Sequence, residues 1–258
     1  MSTELFDLDG KTAIVTGSTR GIGLAIADQL CRAGAACLIS SEDAEDVEMA
    51  TEGLLERGYA VAGQVCDVRD ADARHRLVDR AVSEFGGLDI LVCNAGVSGE
   101  AGPITEINPT DYARVFDINL HPMVALSNLA YPHLCERGGG SVILISSIAG
   151  LRGNAQINGY ALAKAGVAQL ARNLAVQWGP VNIRANAISP GLIRTEFADE
   201  LVNDREFMER RMQMTPLRRP GEVQEIAGCA VFLASAAGAF VTGQNLVVDG
   251  GTTITDGS

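Results

Sequence analysis

Thr12-Ala13-Ile14-Val15-Thr16-Gly17-Ser18-Thr19-Arg20-Gly21-Ile22-Gly23-Leu24-Ala25-Ile26-Ala27 is the stretch that decides the fold. Thr12–Thr16 is apolar, β-branched and short, and reads as a strand. Three glycines follow in the spacing Gly-x-x-x-Gly-x-Gly, and a helical pattern from Ile22 to Arg32 opens directly on them. A strand that runs without pause into a glycine turn and a helix is the first half of a strand–helix–strand unit. Glycine lets the backbone come close to a pyrophosphate, and the helix start offers free N–H groups and a positive dipole end. Gly17, Ser18, Thr19, Arg20, Gly21, Ile22 and Gly23 are therefore candidate ligand contacts. A plain strand-to-helix connection would use the same glycines.

Working outward, the alternation repeats along the whole chain. Further strands are expected at 36–40, 60–66, 88–93, 141–146, 183–188 and 245–248. Further helices are expected at 44–57, 71–85, 111–116, 120–137 and 160–178. The strands are almost continuously hydrophobic, as when helices cover both faces of a parallel sheet. The expected class is α/β, a single-domain doubly wound parallel sheet over residues 1–258. The cofactor half spans about 8–150 and the catalytic and lid part about 140–252. Residues 195–219 are the least regular and carry Met208, Met212 and Met214.

Composition narrows the function. The chain has 258 residues, 47% hydrophobic and 20% charged, with a formal net charge of −12. That charge argues against nucleic acid, anionic membranes and very acidic partners. The six cysteines lie scattered in apolar stretches without Cys-x-x-Cys, and the three histidines have no ligand spacing, so no metal site is expected. The longest apolar run, about 227–241, is too short and interrupted to span a bilayer. Met1–Asp7 is acidic and lacks the apolar centre of a signal peptide, which leaves a cytoplasmic expectation.

Chemistry gathers at the expected strand ends. Asn94-Ala95-Gly96 closes the fourth strand, where Asn94 can pair with backbone groups and Gly96 can pass close to a ribose. Ser147 closes the fifth strand, thirteen residues before Tyr160. Tyr160 and Lys164 stand four apart, on one helix face if the run is helical. An ammonium beside a phenol favours the phenolate and fits the phenol for acid–base work. Asn119 ends an amphipathic stretch, from which its amide can hold a water near Lys164.

Together these residues resemble the short-chain dehydrogenases/reductases, over about residues 8 to 252. The glycine turn is similar to that family's cofactor turn, and Asn94-Ala95-Gly96 to its strand-four motif. Asn119, Ser147, Tyr160 and Lys164 match its catalytic tetrad in order and spacing. Pro190-Gly191 with Ile193 and Thr195 resembles its segment near the nicotinamide, and Asp67-Val68 its adenine contact. The resemblance implies a Rossmann-type fold and hydride transfer between a nicotinamide and a carbinol or carbonyl carbon. In that scheme Tyr160 is the acid/base and Ser147 polarises the carbonyl oxygen. Lys164 lowers the tyrosine pKa and grips the ribose, and Asn119 anchors a relay water.

The choice between NAD and NADP rests on opposing signals. Ser41 and Glu42 stand where an acid binds ribose hydroxyls, and Glu42 repels a 2′-phosphate that Arg20 would attract. Arg20 and Glu42 also fit a simple pair. The acidic cluster around Glu42 tips the expectation towards NAD. The substrate, a small-molecule alcohol or carbonyl compound, is expected in a mostly apolar pocket of Val97, Ile148, Ala149, Ile157 and Leu192, under a lid over 196–214. No residue clearly awaits a substrate carboxylate, though Arg152 and Arg194 lie near in sequence.

A 3-oxoacyl-[acyl-carrier-protein] reductase shares these motifs, but the acidic chain and Val181 in place of a basic residue speak against docking a carrier protein. A catalytically idle dinucleotide sensor or scaffold is the reading of another class, and the intact tetrad speaks against it. The apolar 227–248 segment and the family resemblance point to a homotetramer or homodimer.

Overall fold

The computed structural model describes residues 4–255. Residues 1–3 and 256–258, the ends of the domain expected over 1–258 and part of the N-terminal reading, lie outside the described residues. The strands are β1 (Thr12–Thr16), β2 (Ala36–Ser41), β3 (Val61–Val65), β4 (Ile90–Cys93), β5 (Gly140–Ile145), β6 (Ile183–Pro190) and β7 (Asn245–Val248). The helices are α1 (Gly21–Arg32), α2 (Ala44–Leu55), α3 (Ala71–Phe85), α4 (Pro109–Asn119), α5 (His121–Glu136), α6 (Asn158–Trp178), α7 (Asp199–Asn203), α8 (Arg205–Gln213) and α9 (Val223–Ala234). All seven strands run parallel in the order β3-β2-β1-β4-β5-β6-β7. The expected single doubly wound sheet is present.

Alternation along the strands explains their unbroken hydrophobicity. Ile14, Leu38, Leu91, Val142 and Leu144 join α3, α5 and α6 in one core. Their neighbours Ala13, Val15, Cys37, Ile39, Ile90, Val92, Ile143 and Ile145 join α1 and α9 in the other. Successive side chains point to opposite faces, and both faces are covered, so most strand positions are apolar.

Two regions differ from the sequence reading. The segment expected to be irregular carries α7 and α8. α8 has no buried residue, so burial imposes no apolar stripe on its sequence. α9, within and before the 227–241 apolar run, turns Ile226, Ala227, Ala230 and Leu233 into the chain's own core. That part of the segment expected to cover a second subunit is spent internally. Among the described residues no helix is long and apolar enough to cross a membrane.

Parallel strands bring all their C-terminal ends to one edge. The chain leaves β1 towards β2 on one side and reaches β4 on the other, which opens a crevice above β1 and β4.

Candidate active site

The crevice floor is the β1–α1 turn. Gly17 sits at φ +59, a left-handed conformation costly for other residues, and a Cβ there would lie 2.8 Å from the Ala95 Cα. A Cβ on Gly23 would run into the Gly17 carbonyl and stand 2.5 Å from the Asn94 Nδ2. Asn94 locks the turn, donating from Nδ2 to the Thr16 and Gly17 carbonyls at 3.1 and 2.7 Å. The Thr16 hydroxyl accepts from the Asn94 and Ala95 amides at 3.0 and 3.2 Å. Ser18 is fully buried. Its hydroxyl donates to the Val15 carbonyl at 2.6 Å and accepts from the Ser40 amide at 2.9 Å, and its own amide donates to the Ser40 carbonyl at 3.0 Å. Expected as a ligand contact, Ser18 instead ties the turn to β2, its polar groups already satisfied.

The turn fits an anionic ligand. α1 starts at Arg20 with no side-chain cap. The amides of Gly21, Ile22 and Gly23 find no acceptor among the described residues, since the first intrahelical donor is Leu24. Free N–H groups at a helix start favour a phosphate there. Thr195, after β6, stands against Gly21 across the turn. Thr19 is half-buried and Ile22 packs partly into the α1–α9 core.

Around this floor the adenosine-side residues are placed differently from expectation. Arg20 does not pair with Glu42. It reaches Asp46 at 3.5 Å and Glu196 at 3.8 Å. Glu42 accepts from the Ser41 hydroxyl at 3.4 Å. Asp67 is clasped by Arg69, Nη2 to Oδ2 at 2.6 Å, which holds its carboxyl below the usual range. Val68 is buried in the core, and its carbonyl accepts from Arg74.

The residues expected to react lie at the ends of β4 and β5 and on α4 and α6. Ser147 follows β5, and its Oγ accepts from the Ala149 amide at 3.1 Å. Tyr160 and Lys164 lie one turn apart on α6, with Nζ 5.6 Å from the ring centroid. Lys164 is buried, and Nζ donates to the Ile145 carbonyl at 2.8 Å. Burial drives its ammonium down to about 8, only partly opposed by the Cys93 thiol, itself pushed up to about 12 by burial. Burial raises the Tyr160 phenol, and the neighbouring Ser147 hydroxyl pulls against that rise.

Asn119 is fully buried, and its role differs from the expected one. Its Oδ1 accepts from the Val97 amide and its Nδ2 donates to the Val97 carbonyl, both at 2.8 Å. The side chain thus braces the loop after β4, with Gly96 packed between Asn119 and Lys164. The group left over is the Asn119 main-chain carbonyl. Pro122 has no N–H, and the Met123 amide bonds the Leu120 carbonyl instead.

The expected substrate walls divide. Val97, Ile157 and Leu192 remain partly open. Ile148 and Ala149 are buried, in a turn that lies against α6, and do not wall the open cleft. Pro190 pairs with Val248 in the sheet, and Ile193 is buried. Gly191 bonds the Val248 carbonyl through its amide. The sequence reading missed Phe197, 60% exposed, whose ring centroid lies 6.3 Å from that of Tyr160. Its only sequence signal was its place in the lid segment. Met208 and Met212 line a separate open cavity between α7 and α8. A cavity of about 40 Å³ beside Tyr160, bounded by Tyr112, Gln156 and Asn158, contains none of the expected wall residues and has room for only a few waters.

The architecture agrees with what the chain is similar to. A family model described as Enoyl-(Acyl carrier protein) reductase matches residues 17–253. Dehydrogenase/reductase SDR family member 4 of Oryctolagus cuniculus is 39% identical, over 95% of this chain and 94% of that protein. The chain belongs to the short-chain dehydrogenase/reductase family. Among solved members, a 7α-hydroxysteroid dehydrogenase complexed with NADH and 7-oxo glycochenodeoxycholic acid superposes with a TM-score of 0.93 at 35% identity, covering 97% of each chain. A gluconate 5-dehydrogenase from Burkholderia cenocepacia, in complex with NADP and tartrate, gives a TM-score of 0.93 at 35% identity, covering 98% of each chain.

Proposed function

We propose that this short-chain dehydrogenase/reductase interconverts a secondary alcohol and its ketone with a nicotinamide dinucleotide. The observation that carries the reading is the convergence of Ser147, Tyr160 and Lys164 beside a glycine turn with three unpaired amides. The dinucleotide, when bound, supplies or accepts the hydride. Gly21, Ile22 and Gly23 would hold its pyrophosphate through their amides, and Ser41 and Glu42 its adenosine ribose.

Each catalytic group has a defined task. The Ser147 oxygen accepts from Ala149, and its O–H, which lies against the Tyr160 phenol, would turn to the substrate oxygen. Tyr160 passes a proton to or from that oxygen at its phenolic Oη. Lys164 keeps N–H groups beyond the one bonded to Ile145, and these serve ribose hydroxyls. The free Asn119 carbonyl, rather than its amide, anchors the relay water. NAD is favoured over NADP, because Asp46 and Glu196 already answer the charge of Arg20, while Glu42 forms no ion pair among the described residues. NADH-complexed and NADP-complexed neighbours support the cofactor class without choosing.

Tyr160→Phe is the test. With a panel of secondary alcohols, turnover should fall by about a thousandfold or more, with NADH binding by fluorescence titration retained. Near-normal turnover in the variant would sink the reading.

A further inference from the structure

Ser146 is a buried polar residue that the chemistry above leaves unused. It follows β5 directly, and its amide donates to the Ile188 carbonyl at 2.7 Å, so the sheet ladder holds its main chain. Side chains alternate along β5: Ile143 and Ile145 join the α1–α9 core, Val142 and Leu144 the core that includes α6. Ser146 continues the second set and faces α6. Its hydroxyl donates to the Lys164 main-chain carbonyl at 2.7 Å.

That bond serves no need of the helix. Lys164 lies in the interior of α6, where each carbonyl has a partner four residues on. Nor does packing require it, since alanine would fill a small buried position at no polar cost. What the bond does is fix Lys164 by its main chain. The side chain is held by the neighbouring strand residue, as Nζ donates to the Ile145 carbonyl at 2.8 Å. The turn after Ser147 returns to the same peptide. A Cβ on Gly150 would stand 2.7 Å from the Lys164 carbonyl carbon and 2.6 Å from the Ala165 amide nitrogen. The Gly150 amide in turn donates to the Ser147 carbonyl at 3.0 Å. Ile145, Ser146 and Gly150 thus meet Lys164 from both sides of Ser147 in the chain.

We propose that Ser146 is a positioning residue for the reaction: its hydroxyl fixes the Tyr160–Lys164 turn of α6 against Ser147. Tyr160 and Lys164 both ride on that turn, so losing the bond moves them together relative to Ser147. A displacement of about an ångström at reacting groups costs up to about a hundredfold in rate. The inference rests on the oxidoreductase reading above and adds this residue to it.

The test compares three variants. Ser146→Ala removes the hydroxyl, and Ser146→Cys, which nearly keeps the volume, takes its place if the alanine variant does not fold. Ser141→Ala is the control. Ser141 is buried at the other end of β5, and its hydroxyl donates to the Leu233 carbonyl at 2.9 Å, so a bond of the same kind is lost away from the reacting groups. With NAD and the best alcohol of a panel, single-turnover hydride transfer should fall at least about tenfold in the Ser146 variants, with NADH affinity kept. It should stay near wild type in Ser141→Ala. A second readout needs no turnover. The chain has two lysines, and Lys11, paired with Asp89 at 3.2 Å, precedes β1 at the opposite edge of the sheet. With isotope-labelled lysine, NMR of the cofactor-free protein should show Lys164 titrating at about 8. That midpoint should move upward in the Ser146 variants, as water reaches the loosened ammonium, and stay put in Ser141→Ala. A wild-type rate in the Ser146 variants, or an equal loss in Ser141→Ala, would overturn the positioning role and leave the oxidoreductase reading intact. A slower rate with the Lys164 midpoint unmoved would overturn it as well, since the effect would not pass through Lys164. No turnover of any alcohol by the wild type, with a midpoint that moves only in the Ser146 variants, would uphold the positioning while the proposed reaction fails. Neither turnover nor a moved midpoint would overturn both.

Discussion

The β1–α1 turn and the α7–α8 segment, proposed as the cover of one cleft, are built by opposite means. In the turn, Gly17 and Gly23 admit no Cβ, Ser18 is sealed onto β2, and Asn94 holds two carbonyls in place. The groups left without a partner there are the amides that would meet a ligand. In the cover, α8 buries no residue, and its Arg205–Glu209 pair, at 2.8 Å, has side chains 92% and 61% exposed. Exposed ion pairs of that kind hold little. A site for an invariant group such as pyrophosphate needs backbone fixed to fractions of an ångström, whereas a cover for a substrate needs side chains that can be exchanged.

Substitutions can break or sharpen this contrast. The largest effect is expected in the turn. Gly23→Ala must push a methyl into the Gly17 carbonyl, and should cost about 3 kcal/mol or more; an unchanged melting temperature would show that the turn yields as easily as the cover. Lys164→Met is next, and works in the opposite direction. The Lys164 pKa falls from 10.5 to about 8 on folding. A cation with a depressed folded pKa is a burden below that pKa, relieved as pH rises from about 8 towards 10.5. Removing it should stabilise the cofactor-free protein at pH 7 by up to about 3 kcal/mol, with the gain fading above pH 8, while turnover is lost. Equal melting curves across that range would show that Lys164 is not strained by burial.

A smaller effect is expected at the turn's edge. Glu42→Arg should shift the ratio of NADPH to NADH affinity about tenfold towards NADPH, read by fluorescence titration; an unchanged ratio would mean Glu42 does not face the ribose. The smallest stability change belongs to the cover. Phe197→Ala should alter stability by no more than about 0.5 kcal/mol yet raise KM several-fold for the better substrates. A loss of several kcal/mol would mean the cover is as much framework as the turn.

Much of the fold was legible because both helix-covered faces demand apolar residues at nearly every strand position, and the resulting runs stand out at 12–16, 36–40 and 141–146. Boundaries slipped where pairing, not composition, sets the end. β6 runs on to Pro190 because β7 continues beside it. α4 begins at Pro109, capped by Asn108. Among the candidate site residues, Tyr160 and Lys164 were read from helical spacing taken together with Ser147 and the glycine turn, and Asn94 from its place at a strand end. The bracing role of Asn119, the framework role of Ser18, and the burial of Ile148 and Ala149 did not follow, because each depends on a distant partner.

The sequence by itself determined the strand–helix rhythm, the glycine turn and the order of the reacting groups. Each of these is a local matter of backbone freedom, periodicity or spacing of a few residues. Only the tertiary structure decided which charges remain unpaired. Arg20, Arg152, Arg194 and Arg211 look alike along the chain. Their partners come from segments far apart in sequence, so folding gives Arg20 to Asp46 and Glu196 and Arg194 to Glu222, while Arg152 and Arg211 form no ion pair among the described residues.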